Sequence, residues 1–131
     1  MDFVKVRIDD QVFVVRAADV LEIIPTPKLT KLPHQSPDVL GVFHHRGSHV
    51  VVHGTEKSLS TAAVEPQFIV VTSSKAGFGV THIDGIIHEE EPDIQPPQRY
   101  SDVLRGILAT GDEHLMLIIP EQLTRQDNLN G

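Results

Sequence analysis

The sequence of 131 residues contains no cysteine and no tryptophan, and only one tyrosine and 5 phenylalanines. The absence of cysteine excludes thiol catalysis, disulfide bonds and cysteine-ligated zinc sites. The shortage of aromatic side chains argues against a small-molecule-binding barrel, because apolar ligand pockets are commonly lined with them. Both absences narrow the function to classes that need neither thiols nor an aromatic pocket.

Long apolar runs and an excess of basic residues are also missing. No segment approaches the roughly 18 apolar residues of a membrane span, and the first residues lack the basic start and apolar core of a secretion signal. The 11 lysines and arginines stand against 18 acidic residues, which gives a formal net charge of −7 at pH 7. Nucleic-acid binding depends on clustered positive charge. We therefore expect a cytoplasmic protein with no nucleic-acid partner and no direct membrane insertion.

Motifs that would carry catalysis are absent from the sequence. It has no Gly-x-Ser-x-Gly, P-loop, Gly-x-Gly-x-x-Gly or His-Glu-x-x-His pattern. The sequence therefore lacks the motifs that commonly carry acyl, phosphoryl and hydride transfer. Asp84 and Asp112 lie near His82 and His114, but their Asp-Gly and Gly-Asp contexts indicate turns before they indicate acid–base pairs. We expect a protein that is not an enzyme and that needs no cofactor.

What the sequence does contain is a succession of short apolar runs separated by glycine and proline, within a composition that is 40% hydrophobic and 22% charged. Runs of this kind predict strands and turns. The predicted strands are residues 3–8, 11–16, 29–32, 47–53, 68–73, 77–87, 104–110 and 114–119. A helical turn leading into a strand is expected at 17–24, a short helical turn at 36–40, extended chain at 93–99 and frayed ends at 128–131. About nine or ten strands with little helix predict one all-β domain, a sandwich or a barrel.

Residues 37–52 form the most informative stretch. Gly41 weakens any helix there, Gly47 permits a positive φ, and residues 50–52 are three consecutive valines, whose branched side chains favour a strand. Arg46 is therefore predicted to lie at a tight corner that leads into a strand. Its guanidinium can bind strand carbonyls or a partner's carboxylate, and these structural and functional roles are compatible.

Three blocks of the sequence resemble the CheW family of bacterial chemotaxis scaffold domains. The first has Leu32-Pro33, Gly41-Val42 and His-His-Arg-Gly at 44–47, where the family has Ile-Pro, Gly-Val and Asn-Leu-Arg-Gly. The second is the Gly-to-Ile strand at 79–87, and the third is the closing hairpin at 104–119 with its terminal turn at 120–123. Three departures stand out: histidines at 44 and 45 replace Asn-Leu, His53-Gly54 replaces the Asp-Leu that usually follows the strand, and the connection at 54–67 is short. The resemblance spans about residues 4–123.

The resemblance implies two small five-stranded SH3-like barrels packed together, with one or two short helical turns. We expect a single domain over residues 1–131, approximate subdomains at 1–60 and 61–125 with possible strand exchange, and a frayed tail at 126–131. The implied function is that of an adaptor between a chemoreceptor's cytoplasmic tip and the regulatory domain of a CheA-type histidine kinase. The implied partner-binding residues are Arg46, Val20, Glu22, Gly47 and Val42.

Four histidines at 44, 45, 49 and 53 support a competing hypothesis, a histidine-rich metal-binding or redirected protein-interaction β module. The odd-numbered members, His45, His49 and His53, would share one face of an extended strand and could bind Zn²⁺, Ni²⁺ or Cu²⁺. Because a strand rises about 3.3 Å per residue, His45 and His49 would lie roughly 13 Å apart unless the Gly47 corner folds them together. A shared set of metal ligands is therefore not the favoured interpretation.

Overall fold

The computed structural model describes residues 1–34, 37–59, 61–95 and 105–120. It contains a 3-10 turn at Ala17–Asp19, a one-turn helix α1 at Glu56–Leu59 and eleven strands in these residues. The strands are β1 Asp2–Ile8, β2 Gln11–Arg16, β3 Val20–Pro25, β4 Val39–His45, β5 Ser48–His53, β6 Phe68–Thr72, β7 Ala76–Val80, β8 His82–His88, β9 Asp93–Gln95, β10 Arg105–Thr110 and β11 Glu113–Ile118.

The strands form two sheets. The terminal sheet has six strands in the order β8-β1-β2-β11-β10-β9, and the middle sheet has five in the order β3-β6-β7-β5-β4. Each sheet contains one parallel pair, β2 with β11 and β5 with β7, while the other pairs are antiparallel. The sheets do not divide the chain near residue 60. The middle sheet takes the segment from β3 to β7, and the two ends of the chain together make the terminal sheet.

Successive side chains of the buried strands point to opposite faces and enter different cores. In β1, Val4 and Val6 enter a core shared by both sheets, whereas Phe3 enters a core of the terminal sheet alone. In β6, Val70 enters the shared core, and Ile69 and Val71 enter a core of the middle sheet. Each sheet therefore wraps around its own apolar interior and packs against the other, as two joined barrels do. This arrangement confirms the predicted all-β fold class.

Much of the predicted strand order is confirmed. The first two strands pair as an antiparallel hairpin, and β10 pairs antiparallel with β11 in the predicted closing hairpin. The helical turn leading into a strand is present as the 3-10 turn followed by β3. Residues 121–123 of the predicted terminal turn at 120–123 and the frayed tail at 126–131 lie outside the described residues.

Three local predictions are wrong. The strand predicted at 77–87 is two strands, β7 and β8, which belong to different sheets. The chain changes sheet at Thr81, whose hydroxyl and N–H both donate to the Arg7 carbonyl, at 3.0 and 2.8 Å. The strand predicted at 29–32 is a single bridge between Thr30 and Val42. In the helical turn predicted at 36–40, residues 39–40 instead belong to β4, and Ser36 lies outside the described residues.

The two edges of the middle sheet, β3 and β4, meet at a seam. After β3 the chain runs back along β4, where Thr30 and Val42 exchange two backbone hydrogen bonds of 2.9 and 2.8 Å. Gly41 permits this approach, because a Cβ at that position would lie 2.8 Å from the Cβ of Leu29. Backbone bonds therefore close one part of the seam, and side chains close the part nearer the β4–β5 turn.

Candidate functional site

The candidate site is built on the turn between β4 and β5. His45 pairs with Ser48 across this turn, which leaves Arg46 and Gly47 as its two central residues. Both have a positive φ, 48° for Arg46 and 81° for Gly47, as in the type I′ turns that match the twist of a hairpin. This confirms the sequence prediction for Gly47 and holds the Arg46 side chain out at the corner, where it is 73% exposed.

Glu22 of β3 lies opposite this corner and binds Arg46 at two points. The Nε of Arg46 donates to Oε2 of Glu22 at 3.1 Å, and Nη2 donates to Oε1 at 3.3 Å. A planar guanidinium and a planar carboxylate match in this fork arrangement, which fixes direction as well as distance. The two residues singled out by resemblance on separate segments are thus brought into direct contact.

His45 is the third member of the site. Its Nε2 lies 2.7 Å from Oε2 of Glu22, and its side chain is only 14% exposed. The imidazole also packs edge-on against Phe43, with ring centroids 6.0 Å apart. Phe43 belongs to the core of the middle sheet. His45 therefore rests on that core and reaches across the seam to the Glu22 carboxylate.

The charge state of Glu22 follows from these contacts. The Arg46 hydrogen bond lowers the pKa of the Glu22 carboxyl most, partial burial opposes this, and the His45 hydrogen bond lowers it further. The net effect is a pKa below the ordinary value, so Glu22 is ionised at neutral pH. The corner is thus a carboxylate held between an exposed guanidinium and a half-buried imidazole.

Val20 and Val42, two further residues of the predicted site, lie on β3 and β4 in different environments. Val20 begins β3, two positions before Glu22, and packs partly buried against the shared core. A register shift falls between Val20 and Glu22, and the intervening Leu21 is 50% exposed. Val42 is 8% exposed and lies in the seam opposite Thr30.

Sequence reasoning missed the role of His45. The sequence pattern predicts His45 as one of three odd-numbered histidines on one face of a strand, but the turn at Gly47 places it on β4, whereas His49 and His53 are on β5. The alternation of β4 puts His45 on the same face as Phe43, and that signal is in the sequence. Its contact with Glu22 is not, because it depends on two sheet edges meeting.

The other three histidines of this group also lie in different environments. His44 and His49 face each other across the hairpin with ring centroids 5.2 Å apart, while His53 is 5% exposed. Within the part of the chain that the structure describes, no three His, Cys, Asp or Glu side chains are grouped to hold a metal. The structure therefore does not favour His45, His49 and His53 as ligands of one metal, since only His49 and His53 are on one strand and His53 is buried.

The buried His53 predicts an acid-sensitive fold. Burial lowers the pKa of its imidazole, whereas the unfolded chain keeps the ordinary value of about 6.5. The unfolded state therefore takes up the proton first, so stability is complete above about pH 6.5 and falls as the pH drops towards the lower folded-state pKa. The urea midpoint of the unaltered protein should be lower at pH 5.5 than at pH 7.5. His53→Gln should make this difference smaller.

A matched control comes from His88. Its pKa is raised by hydrogen bonds to Asp2 and Glu90, so its contribution to stability is present below about pH 6.5 and is lost as the pH rises through its folded-state pKa. Because this pair is exposed, its effect should be small. His88→Ala should therefore leave the acid-induced fall in place or steepen it slightly. If the urea midpoint dropped between pH 7.5 and 5.5 by the same amount in His53→Gln as in the unaltered protein, the role of His53 in acid sensitivity would be contradicted.

Two packed β-barrels with an ion-paired corner at a barrel seam define an all-β two-barrel domain. Among the described residues, no helix is long and apolar enough to cross a membrane.

The family follows from comparison with known proteins. The model of the CheW-like domain family matches residues 2–126, and the chain belongs to this family. Chemotaxis protein CheW of Rhizobium meliloti (strain 1021) is 30% identical over 128 residues, covering 89% of this chain and 83% of that protein. The crystal structure of scaffolding protein TtCheW from Thermoanaerobacter tengcongensis has the same fold, with a TM-score of 0.77 at 20% identity, over 90% of this chain and 83% of that one. Membership confirms the prediction of a non-enzymatic chemotaxis adaptor.

Proposed function

We propose that this chain couples the cytoplasmic tip of a chemoreceptor to the regulatory domain of a CheA-type histidine kinase, using two separate surfaces. Its membership of the CheW-like family supports a coupling role in chemotaxis. The observation that carries the proposal is the Glu22–Arg46 ion pair, which presents an exposed, oriented guanidinium at one corner. The same proposal assigns the chain to the cytoplasm, where both partner domains would lie.

The receptor surface in this proposal is the corner itself. Arginine has five N–H donors, and Glu22 engages Nε and Nη2. The remaining donors of the 73% exposed side chain can bind carboxylate or carbonyl oxygens of a receptor helix pair. The half-buried Val20 and the exposed Leu21 on the adjoining strand add apolar area beside this charge.

The kinase surface in this proposal lies on the other sheet. Ile86 on β8 is 70% exposed and Ile94 on β9 is 40% exposed, and these two strands are the edges of the terminal sheet. Exposed apolar side chains on sheet edges are suited to packing against another β domain. Because the ion-paired corner belongs to the middle sheet, the two proposed surfaces do not share residues.

The experiment is a pair of titrations. The protein is titrated with an isolated CheA regulatory domain and, separately, with a soluble receptor-tip fragment, both followed by calorimetry. The proposal predicts saturable binding to each. Ile86→Asp should weaken binding to the kinase domain and leave the receptor fragment bound, since the substitution removes apolar area from the terminal sheet alone. Absence of binding to both partners by a folded sample would overturn the proposal.

A further inference from the structure

The third member of the corner, His45, sets this chain apart from the family pattern that its sequence resembles. That pattern has leucine before Arg-Gly, and leucine has no hydrogen-bonding atom in its side chain. Here the imidazole Nε2 lies 2.7 Å from Oε2 of Glu22. This is the shortest of the three contacts to that carboxylate, since the two from Arg46 measure 3.1 and 3.3 Å.

The two partners approach Glu22 from different environments. His45 is 14% exposed and rests on Phe43, whereas Arg46 is 73% exposed. A half-buried ring packed on the core has few alternative rotamers, while an exposed arginine has many. The imidazole is thus the more confined of the two partners, and the orientation of the guanidinium depends on its contact with the carboxylate. The Glu22 carboxylate lies between them and contacts both.

We propose that His45 is a positioning residue for the Glu22–Arg46 pair. It holds the carboxylate in one orientation, so that the fork of Arg46 is held in one plane and its unused N–H groups face a partner's acceptor oxygen in a fixed direction. The acceptor chemistry is a carboxylate or carbonyl oxygen. Its assignment to the receptor tip rests on the proposed function, while the positioning of Arg46 is a property of this chain alone.

The alternative is that His45 only fills the seam between β3 and β4. A side chain that merely fills space would be replaced without loss by leucine, which matches the volume and retains the contact with Phe43. A side chain that positions Glu22 must donate a hydrogen bond. Glutamine distinguishes these roles, because its amide N–H lies about as far along the side chain as Nε2 of histidine.

The test compares His45→Leu, His45→Gln and the control His49→Leu. His49 lies on the same hairpin and is exposed, and its ring faces His44 rather than Glu22. The first readout is the Nε–H signal of Arg46 in the ¹⁵N NMR spectrum of the free protein. We expect His45→Leu to move this signal towards that of a freely rotating arginine and to speed its exchange with water. His45→Gln should restore it, and His49→Leu should leave it unchanged.

The second readout is affinity for the receptor-tip fragment. Loss of one hydrogen bond to a carboxylate predicts binding weakened about threefold to tenfold in His45→Leu, with recovery in His45→Gln. An Arg46 signal in His45→Leu identical to that of the unaltered protein would overturn the positioning of Arg46 by His45, and equal affinity would overturn its assignment to receptor binding. If the unaltered protein does not bind the fragment, the proposed receptor partner fails, and the Arg46 signal still decides whether His45 positions the pair.

Discussion

Arg46→Glu is expected to abolish measurable binding of the receptor-tip fragment while the domain stays folded. The substitution removes the outward donors and sets a second carboxylate against Glu22, so both the pairing and the presented charge are lost. Truncation of a charged contact at an interface commonly costs about 2–5 kcal/mol. We therefore expect binding weakened by at least about thirtyfold in Arg46→Ala and lost from the measurable range in Arg46→Glu. Calorimetry measures both, and far-UV circular dichroism checks the fold.

The fold should survive because the Arg46 side chain is 73% exposed and its pairing is at the surface. Exposed ion pairs contribute little to stability. The matched control is the charge swap Glu22→Arg with Arg46→Glu, which restores opposite charges across the seam. If the pair served only to join β3 to β4, the swap would recover binding. We expect no recovery, because the guanidinium would then extend from β3 rather than from the corner. Recovery of full affinity would contradict the proposal that Arg46 binds the receptor from this corner.

Phe78→Ala is expected to lower the free energy of unfolding by about 3–5 kcal/mol, which is the usual cost of truncating a buried phenylalanine. Phe78 is 1% exposed and lies on β7 of the middle sheet. Its core cluster also contains Val4, Phe13 and Ile118 of the terminal sheet. A cavity at this position therefore loosens the contact between the two barrels. Urea denaturation followed by far-UV circular dichroism measures the loss.

The matched control for this substitution is Ile86→Ala. Ile86 is also a large apolar residue on a strand, but it is 70% exposed, so its truncation should change stability by no more than about 0.5 kcal/mol. Because the core is shared, both barrels should unfold in one transition in the unaltered protein and in both variants. The account would be contradicted by two separate transitions in the unaltered protein, or by equal losses for the two substitutions.

The parts of the fold that were predicted from the sequence are those fixed by local chemistry. The first hairpin was predicted because two acidic residues interrupt two apolar runs, and Asp9 indeed has a φ of 58° in that turn. The last hairpin turns at Gly111, with a φ of 57°. In each case the pattern is complete within about a dozen residues, so no distant partner is needed to specify it.

The parts that could not be predicted depend on segments distant in sequence. The parallel pairing of β2 with β11 joins the two ends of the chain, and no local pattern marks it. The change of sheet at Thr81 lies inside a continuous run without a turn signal, since Gly79 and Gly85 both fall within strands. The seam is a third case, because His45 meets Glu22 only after the middle sheet has curled. The resemblance indicated Glu22 and Arg46 as candidate site residues, but only the structure shows that their side chains are in contact.

The most direct measurement of the central claim is whether one copy of this chain binds both partners at once. The protein, the receptor-tip fragment and the CheA regulatory domain would be mixed at equal concentration and analysed by sedimentation velocity. The account predicts a complex that contains all three, which Arg46→Glu converts to a complex with the kinase domain alone. Mutually exclusive binding, in which each partner displaces the other from a folded sample, would contradict the claim that two separate surfaces make this chain an adaptor.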